Sequence, residues 1–458
     1  MSGEFQRFWS PVSFLKLTVW MLLRGQSAIQ LMKITTGPGN PSVTCSPPIR
    51  SLKNRRLKRW IASSRHLLPD QLFAVAVHSP RRNLKVAHIL GSLDRGGVEM
   101  RTLDLIRSVD SNISTYMLTL SGREGSLSAE YKAAGAHVVP IRVYSWSFPF
   151  RFLRFLRRNH VDVVHSHVHH TSGFITMLAL LAGVGTRIVH YRSDGQPSSS
   201  LNGFSKAKTF TLKQLIRLSA THIVAVSPAT MSLAWDTNWE TDSRCSVIVN
   251  GFDLANFSRP DNNPPPKFLE GIPRPLLLHL GRADSPTKNR DGALDIFSRY
   301  CQRNNPGTLV FVGRDGRDAG DALANKQRWL RKLRESGITD RVVFLGERSE
   351  VVDILHHADV LLFTSLLEGL PGVLVEARCA GVPVVATDLP GCRFLAQKLS
   401  RVALLSCDAP LDLWSEALEQ ELLSPTDRQE RIQALDSLRG SDFDMDTVVQ
   451  RYMRLWSS

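Results

Sequence analysis

Two carboxylates stand eight residues apart in the stretch TSLLEGLPGVLVEARCAGVPVVATDLPG, at Glu368 and Glu376. A carboxylate one turn inside a helix can accept two hydroxyl hydrogen bonds, which is the pattern a ribose offers. Glu368, in the loop ahead of that helix, can hold hydroxyls of a second ring. Gly369, Leu370 and Gly372 surround Pro371, where a helix can start. Free amides and the positive helix end favour an anion there, and a glycine lets the ligand approach the backbone. Arg282 and Lys288 lie six residues apart in HLGRADSPTKN. From one loop both can reach a diphosphate, the arginine as a fork and the lysine as a point charge. The plain alternative is an ordinary strand–helix–strand unit with solvated glutamates and solvated loop cations.

Other groups offer weaker chemistry. Gly96 and Gly97 in LDRGGVE precede a helix and can cradle phosphate or sugar through bare N–H groups, although most glycine pairs are only turns. Glu99 then caps or charges the helix start. His165, His167, His169 and His170 crowd into VVHSHVHHTSG. A metal site would need a carboxylate or cysteine partner at ligand spacing, which the segment lacks. Residues 165, 167 and 169 alternate onto one strand face, so packed or substrate-facing histidines are expected. DFDMD at 442–446 offers a DxD pattern, but it stands before a helix, where aspartates serve as N-caps.

These residues need elements to position them. From Leu84 onward short apolar strands alternate with helical segments: KVAHIL, STYMLTL, AHVVPI, DVVHSHV, RIVHY and HIVAVS in one series. PLLLHLGR, LVFVG, RVVFLG, DVLLFTS, PVVAT and VALLS form a second. Strands that are apolar throughout imply a parallel sheet covered on both faces. The expectation is an α/β protein with two doubly wound, Rossmann-like domains facing across a cleft. The first spans 84–258, residues 259–275 with six prolines form a linker, the second spans 276–440, and an amphipathic helix occupies 441–458. Helices are expected near 100–108, 291–303, 322–336, 351–357, 370–380 and 412–423. In the 370–380 helix, Leu370, Val373, Leu374, Ala377 and Ala380 form an apolar stripe, with Gly372, Glu376 and Cys379 on another face.

The net charge of +15 is unevenly placed. Residues 1–83 hold 13 Lys/Arg and 2 Asp/Glu, whereas the remainder holds 44 and 40. The globular part is only mildly basic, which argues against a nucleic-acid partner. The apolar run FWSPVSFLKLTVWMLL is short for a membrane span and is broken by Pro11 and Lys16. RSLKNRRLKRWIASSR at 50–65 could touch a membrane surface if helical, so 1–83 reads as a disordered basic extension with possible peripheral membrane contact. The six cysteines show no CxxC pair and suit a reducing, cytoplasmic compartment.

The Glu368–Glu376 stretch resembles the glutamate–seven–glutamate signature of the retaining glycosyltransferases of family 4, which have the GT-B fold. That resemblance implies a nucleoside-diphosphate sugar as donor, with UDP favoured and no further cofactor or metal. It makes Arg282 and Lys288 the diphosphate ligands, and Gly96 and Gly97 the counterpart of a GG(V/A)E loop facing the donor. FVGRDG and FLGERSEVV resemble the family's nucleotide-base region, which marks Gly313, Arg314 and Arg348. The last helix crosses back onto the first domain in that family. One branch carries a catalytic-site histidine two residues after the first histidine of an IxHxH pattern. Arg192 stands there in this chain, so Arg192 or His190 would have to serve. The resemblance implies a glycan, lipid-linked or small-molecule acceptor held by the first domain, and a role in polysaccharide biosynthesis. A nucleotide-sugar epimerase of the same fold is one rival reading. A basic-armed membrane or nucleic-acid binder with an inactive core is another.

Overall fold

A computed structural model describes residues 83–194, 203–258 and 264–458, apart from 284, 317 and 425. The basic extension therefore lies outside the described residues. The first sheet is formed by β1 (Leu84–Leu90), β2 (Ile113–Thr119), β3 (His137–Pro140), β4 (Val163–Ser166), β5 (Thr186–Tyr191), β6 (His222–Ala225) and β7 (Cys245–Val247). Their spatial order is β3-β2-β1-β4-β5-β6-β7, all parallel. The second sheet comprises β8 (Leu276–Leu280), β9 (Thr308–Val312), β10 (Val342–Phe344), β11 (Val360–Phe363), β12 (Val384–Thr387) and β13 (Val402–Leu405), in the order β10-β9-β8-β11-β12-β13. Both sheets are doubly wound α/β layers, as the alternating apolar runs require.

Strand order reverses beside β1 and β4 in the first sheet and beside β8 and β11 in the second. At such a point consecutive crossovers leave in opposite directions and open a crevice at the carboxyl ends of the strands. Four loops surround the two crevices: 91–96, 167–171, 281–289 and 364–371. They contain Gly96, Arg282, Lys288, Glu368, Gly369 and Leu370.

Among the helices are α1 (Gly97–Ser108), α2 (Phe148–Arg158), α3 (Ser172–Ala182), α4 (Gly203–Ser219), α5 (Arg290–Gln302), α6 (Gly372–Cys379) and α7 (Met445–Trp456). α1 starts three residues earlier than its apolar pattern suggests. Gly96, in extended conformation, is its N-cap, so Gly97 belongs to the helix. α6 is shorter than 370–380 at both ends: Pro371 caps it and Leu370 lies outside. Cys379, expected on the polar face, is buried in the core with Leu374, Val375 and Ala377. A buried thiol packs as a small apolar group, which explains that placement. Within the segment read as a linker, Lys267–Leu269 makes a 3-10 turn and Leu269 is buried.

α7 lays Met445, Val448, Tyr452 and Trp456 against Val86, Val163, Ile188 and Val224 of the first sheet. The chain passes between the two sheets twice, near Phe252 and near Phe443. There the Phe252 amide donates to the Phe443 carbonyl at 2.8 Å and the Met445 amide donates to the Phe252 carbonyl at 3.1 Å.

Candidate active site

The second-sheet wall is built by loops locked edge to edge. Arg290, at the start of α5, is only 3% exposed. It donates to the Gly281 carbonyl at 2.7 Å, to the Gly313 carbonyl at 2.8 Å and to Asp315 at 2.6 Å. Gly313 has φ +125°, and a Cβ there would lie 2.6 Å from the Gly281 carbonyl oxygen. Only glycine allows the two loops to run so close. Arg282 projects from this bundle and is exposed. Thr364 Oγ1 donates to the Asn289 carbonyl at 2.9 Å, and the Leu366 amide donates to the Thr287 carbonyl at 2.7 Å. These bonds bring the 281–289 and 364–371 loops together, and Lys288 Nζ pairs with Glu368 Oε1. Beneath them His279 is fully buried, and desolvation with the Arg290 charge lowers its pKa to about 3, leaving it neutral. Arg348 lies beside the same bundle, stacked 4.4 Å over Phe268, while the Gly313 amide donates to the Gly346 carbonyl at 2.8 Å.

The first-sheet wall faces it at contact distance. Gly369 is packed so that a Cβ would meet Ser193 Cα at 2.8 Å and the Arg192 carbonyl at 3.0 Å. Glu376, on α6, is paired with Arg101 of α1 at 3.0 Å, and Arg101 also lies 4.6 Å over the Phe252 ring. Arg95 reaches Glu347 at 3.5 Å. Arg101 was not singled out by sequence reasoning; it follows the glycine pair by four residues, one turn along a helix that could be foreseen. Glu99 has its pKa raised by desolvation, opposed by the charges of Arg282 from the second sheet and Arg192 from the first. A Cβ on Gly96 would collide with Glu99 Oε2 at 2.5 Å, whereas Gly97 faces open space.

Arg192 is the centre of this wall. Its guanidinium donates to Asn250 Oδ1, to His167 Nδ1 at 3.4 Å and to Thr102 Oγ1 at 3.5 Å. His190 is placed differently from expectation. It is fully buried, its Nδ1 shared by His165 Nε2 at 3.1 Å and the Tyr452 hydroxyl at 3.4 Å, so it cannot touch a ligand in the cleft. The strand alternation of RIVHYR put residues 190 and 192 on one face but could not show that α7 covers the first of them. Asp194, next along the chain, accepts from Thr230 Oγ1 at 2.6 Å, and desolvation raises its pKa, with the Glu368 charge adding to the rise.

The clustered histidines divide. His169 and His170 pack edge-on against Tyr191. His165 and His167 join His88 of β1, and the ligand atoms of these three lie within 4.8 Å of one another. They form the one group among the described residues dense enough to hold a metal ion. Desolvation plus the adjacent Arg192 charge keeps all three imidazoles neutral, the form that ligates a metal, but His88 and His167 bond each other at 3.1 Å. A fixed cation touching the cluster also opposes a second cation. In DFDMD, Asp444 accepts from the Asp446 amide at 3.3 Å as the cap of α7, and Asp442 pairs with Arg451.

The arrangement has an exposed arginine, a lysine–carboxylate pair and a helix N-terminus on one wall. An arginine, open glycine backbone and carboxylates line the other. Such a set can bind a polyanion and a polyhydroxylated ring together.

Comparison with known proteins fits this geometry. The family described as "Glycosyl transferases group 1" matches residues 274–420, and "Glycosyltransferase Family 4" matches residues 95–256. The capsular polysaccharide biosynthesis glycosyltransferase CapH of Staphylococcus aureus is 29% identical over 308 residues, covering 67% of this chain and 82% of CapH. EpsF of Bacillus subtilis is 27% identical over 373 residues, covering 78% and 93%. Among solved structures, HepE from Anabaena in complex with UDP superposes with a TM-score of 0.67 at 18% identity, over 82% of this chain and 99% of that one. Two glycosyltransferase family descriptions match, one over most of the first sheet and the other over the second, in a two-sheet fold shared with HepE, and the chain is therefore a glycosyltransferase of GT-B architecture.

Proposed function

We propose that the enzyme transfers a sugar from a nucleoside-diphosphate donor, UDP-sugar foremost, to a hydroxyl acceptor with retention of configuration. The carrying observation is that the Lys288–Glu368 pair joins the loop that carries Arg282 to the loop that opens α6, at the crevice of the second sheet. Arg282 and Lys288 neutralise the diphosphate as the glycosidic bond breaks, and the amides ahead of Gly372 add a positive helix end. Glu376 accepts the ribose hydroxyls, exchanging its pairing with Arg101 for them. Gly313 and Arg348 border the base, and Gly369, Leu370 and Glu368 hold the sugar. Gly97 presents open backbone from the opposite wall, and Gly96 lets the Glu99 carboxylate lie against the same turn. Arg192 stands where a branch of the family has a histidine and donates to the transferred sugar. The departing phosphate oxygen takes the acceptor proton, so leaving group and nucleophile share one face of the sugar. With the charge neutralised by side chains, no metal ion or further cofactor is needed.

Relatives support this reading: HepE was solved with UDP-glucose, and CapH is a glycosyltransferase of capsular polysaccharide biosynthesis. A glycan or lipid-linked acceptor in polysaccharide biosynthesis follows by analogy, at the cytoplasmic side of the cell. Calorimetry tests the donor site: Arg282→Ala should weaken UDP binding about tenfold or more, as for losing a charge-assisted contact of about 1.5–3 kcal/mol. Unchanged affinity for every nucleoside diphosphate would refute the assignment. NMR of the first product should show the donor's anomeric configuration, and EDTA should leave the rate unchanged.

A further inference from the structure

One carboxylate of the cleft, Asp194, has no role in the donor site, yet it is held more firmly than a surface group needs to be. β5 and β6 are neighbours in the first sheet, and the chain leaves their carboxyl ends through residues 192–194 and 226–227. Ser227 caps the short helix Pro228–Ala234, its Oγ accepting from the Thr230 amide at 3.0 Å. The Ser227 hydroxyl donates to Thr230 Oγ1 at 2.9 Å, and the Thr230 hydroxyl donates to Asp194 Oδ1 at 2.6 Å. Ser227 and Thr230 are fully buried. Each hydroxyl has one proton, so the bonds run in one direction and end on Asp194 as the acceptor. That chain fixes the carboxylate and leaves its second oxygen able only to accept.

Asp194 stands against the second-sheet loop that precedes α6. A Cβ on Gly369 would lie 2.8 Å from Ser193 Cα and 3.1 Å from Thr230 Oγ1, and Ser227 Oγ is 3.4 Å from the Gly369 carbonyl. The hydroxyl that holds Asp194 thus packs against the residue next to Glu368. Desolvation raises the Asp194 pKa, and the Glu368 charge adds to the rise. Two carboxylates brought together from opposite walls repel each other, and hydroxyls that donate to both relieve the repulsion.

We infer that Asp194 selects the transferred sugar, accepting ring hydroxyls from the wall opposite Arg282 and Lys288, and that this sugar is a neutral hexose rather than a uronic acid. A polyhydroxylated ring supplies protons to Asp194 and Glu368 together. A uronic acid would bring a third negative charge between them, which is discrimination by repulsion. The nearest guanidinium, Arg192, already donates to Asn250, His167 and Thr102. Ser227 and Thr230 are positioning residues, acting only through Asp194. The inference rests on the transferase reading, to which it adds a residue and a chemical class of sugar.

Calorimetry on the full chain tests it, with UDP, the neutral UDP-hexoses (glucose, galactose and N-acetylglucosamine) and UDP-glucuronic acid. UDP has no sugar, so Asp194→Asn should bind it at least as tightly as the wild type does. The asparagine keeps the bond from Thr230 but turns a donor amide toward the ring. The neutral UDP-hexose that the wild type prefers should therefore bind about tenfold more weakly, as for losing a charge-assisted contact. UDP-glucuronic acid should bind the wild type more weakly than that hexose and gain affinity in Asp194→Asn. Thr230→Val frees the carboxylate without removing its charge, so it should lose part of the UDP-hexose affinity and still disfavour UDP-glucuronic acid. Equal losses for UDP and the UDP-hexose, an unchanged UDP-hexose affinity in Asp194→Asn, or a wild type that prefers UDP-glucuronic acid would overturn the inference and leave the donor site standing. A wild type that binds none of these ligands would refute the donor site itself, and the inference with it.

Discussion

Glu376 carries different partners in the two roles assigned to it. In the structure it faces Arg101 across the cleft at 3.0 Å, both side chains being about four-fifths shielded. In the proposed donor complex it accepts ribose hydroxyls. Glu376→Gln keeps the shape but removes the charge, so UDP affinity should fall roughly tenfold, within the range for a charge-assisted hydrogen bond. Pyrophosphate has no ribose, and its affinity should stay as in the wild type. A parallel loss for both ligands would remove the ribose role. Single residues of this kind are where the sequence is most and least legible. Glu368, Glu376, Arg282 and Lys288 are visible because glycines and prolines punctuate the loops around them. Arg101, Asn250 and Arg290 are not, because each acts through a partner 25 to 275 residues away in the chain. Spacing along a sequence holds no record of such pairings, and His190 was misplaced for the same reason.

At the scale of elements, most strands were legible to within a few residues, since buried parallel strands have to be apolar on both faces, but β7 was not foreseen and β4 ends at Ser166, short of His167 and His169. Helix starts were less so. Propensity does not reveal that Gly96 rather than a later residue caps α1, nor that Leu370 stays outside α6. Loop geometry was hidden altogether, yet it sets the site. The 281–283 and 313–314 loops lie so close that a methyl at Gly313 would overlap a carbonyl oxygen, on a backbone already at φ +125°. Gly313→Ala should therefore destabilise the protein by about 1–3 kcal/mol, seen as a lower Tm, and should weaken UDP binding by shifting Arg282. An alanine variant of wild-type stability would show that the loops can part without cost.

The whole molecule responds to acid through its buried imidazoles. Burial lowers His88 to about 3, His279 to about 3 and His169 to about 4, against an ordinary value of 6.5, and lowers His165, His167 and His190 well below it. The unfolded chain takes up these protons and the native state refuses them. Their contribution is therefore complete above about pH 6.5 and is lost as pH falls toward 3. Glu99 and Asp194, whose pKa values are raised, work in the opposite direction, so the difference between proteins is the cleaner readout. Thermal unfolding followed from pH 7 to 4 should drop less steeply for His88→Gln than for the wild type. Identical slopes would mean that His88 is protonated in the native state. At the same scale, residues 83–458 form a compact unit distinct from 1–82. A chain starting at Arg82 should keep its turnover with water-soluble acceptors, and an inactive product would make the extension part of the fold.

The two crossings of the chain between the sheets have a mechanical meaning. Phe252 and Phe443–Met445 run side by side and are pinned by two backbone hydrogen bonds, with Val226, Val249 and Phe252 packed in one apolar core with Leu370 and Leu374, whereas the fore-edge of the cleft is joined by polar pairs such as Arg101–Glu376. Two bodies joined along one short seam retain a single easy rotation, like the covers of a book at its spine. A rotation about that seam would part Arg192 and Glu368 while leaving both backbone hydrogen bonds in place. Opening about it would break contacts such as Arg101–Glu376 at the fore-edge while the spine stays intact.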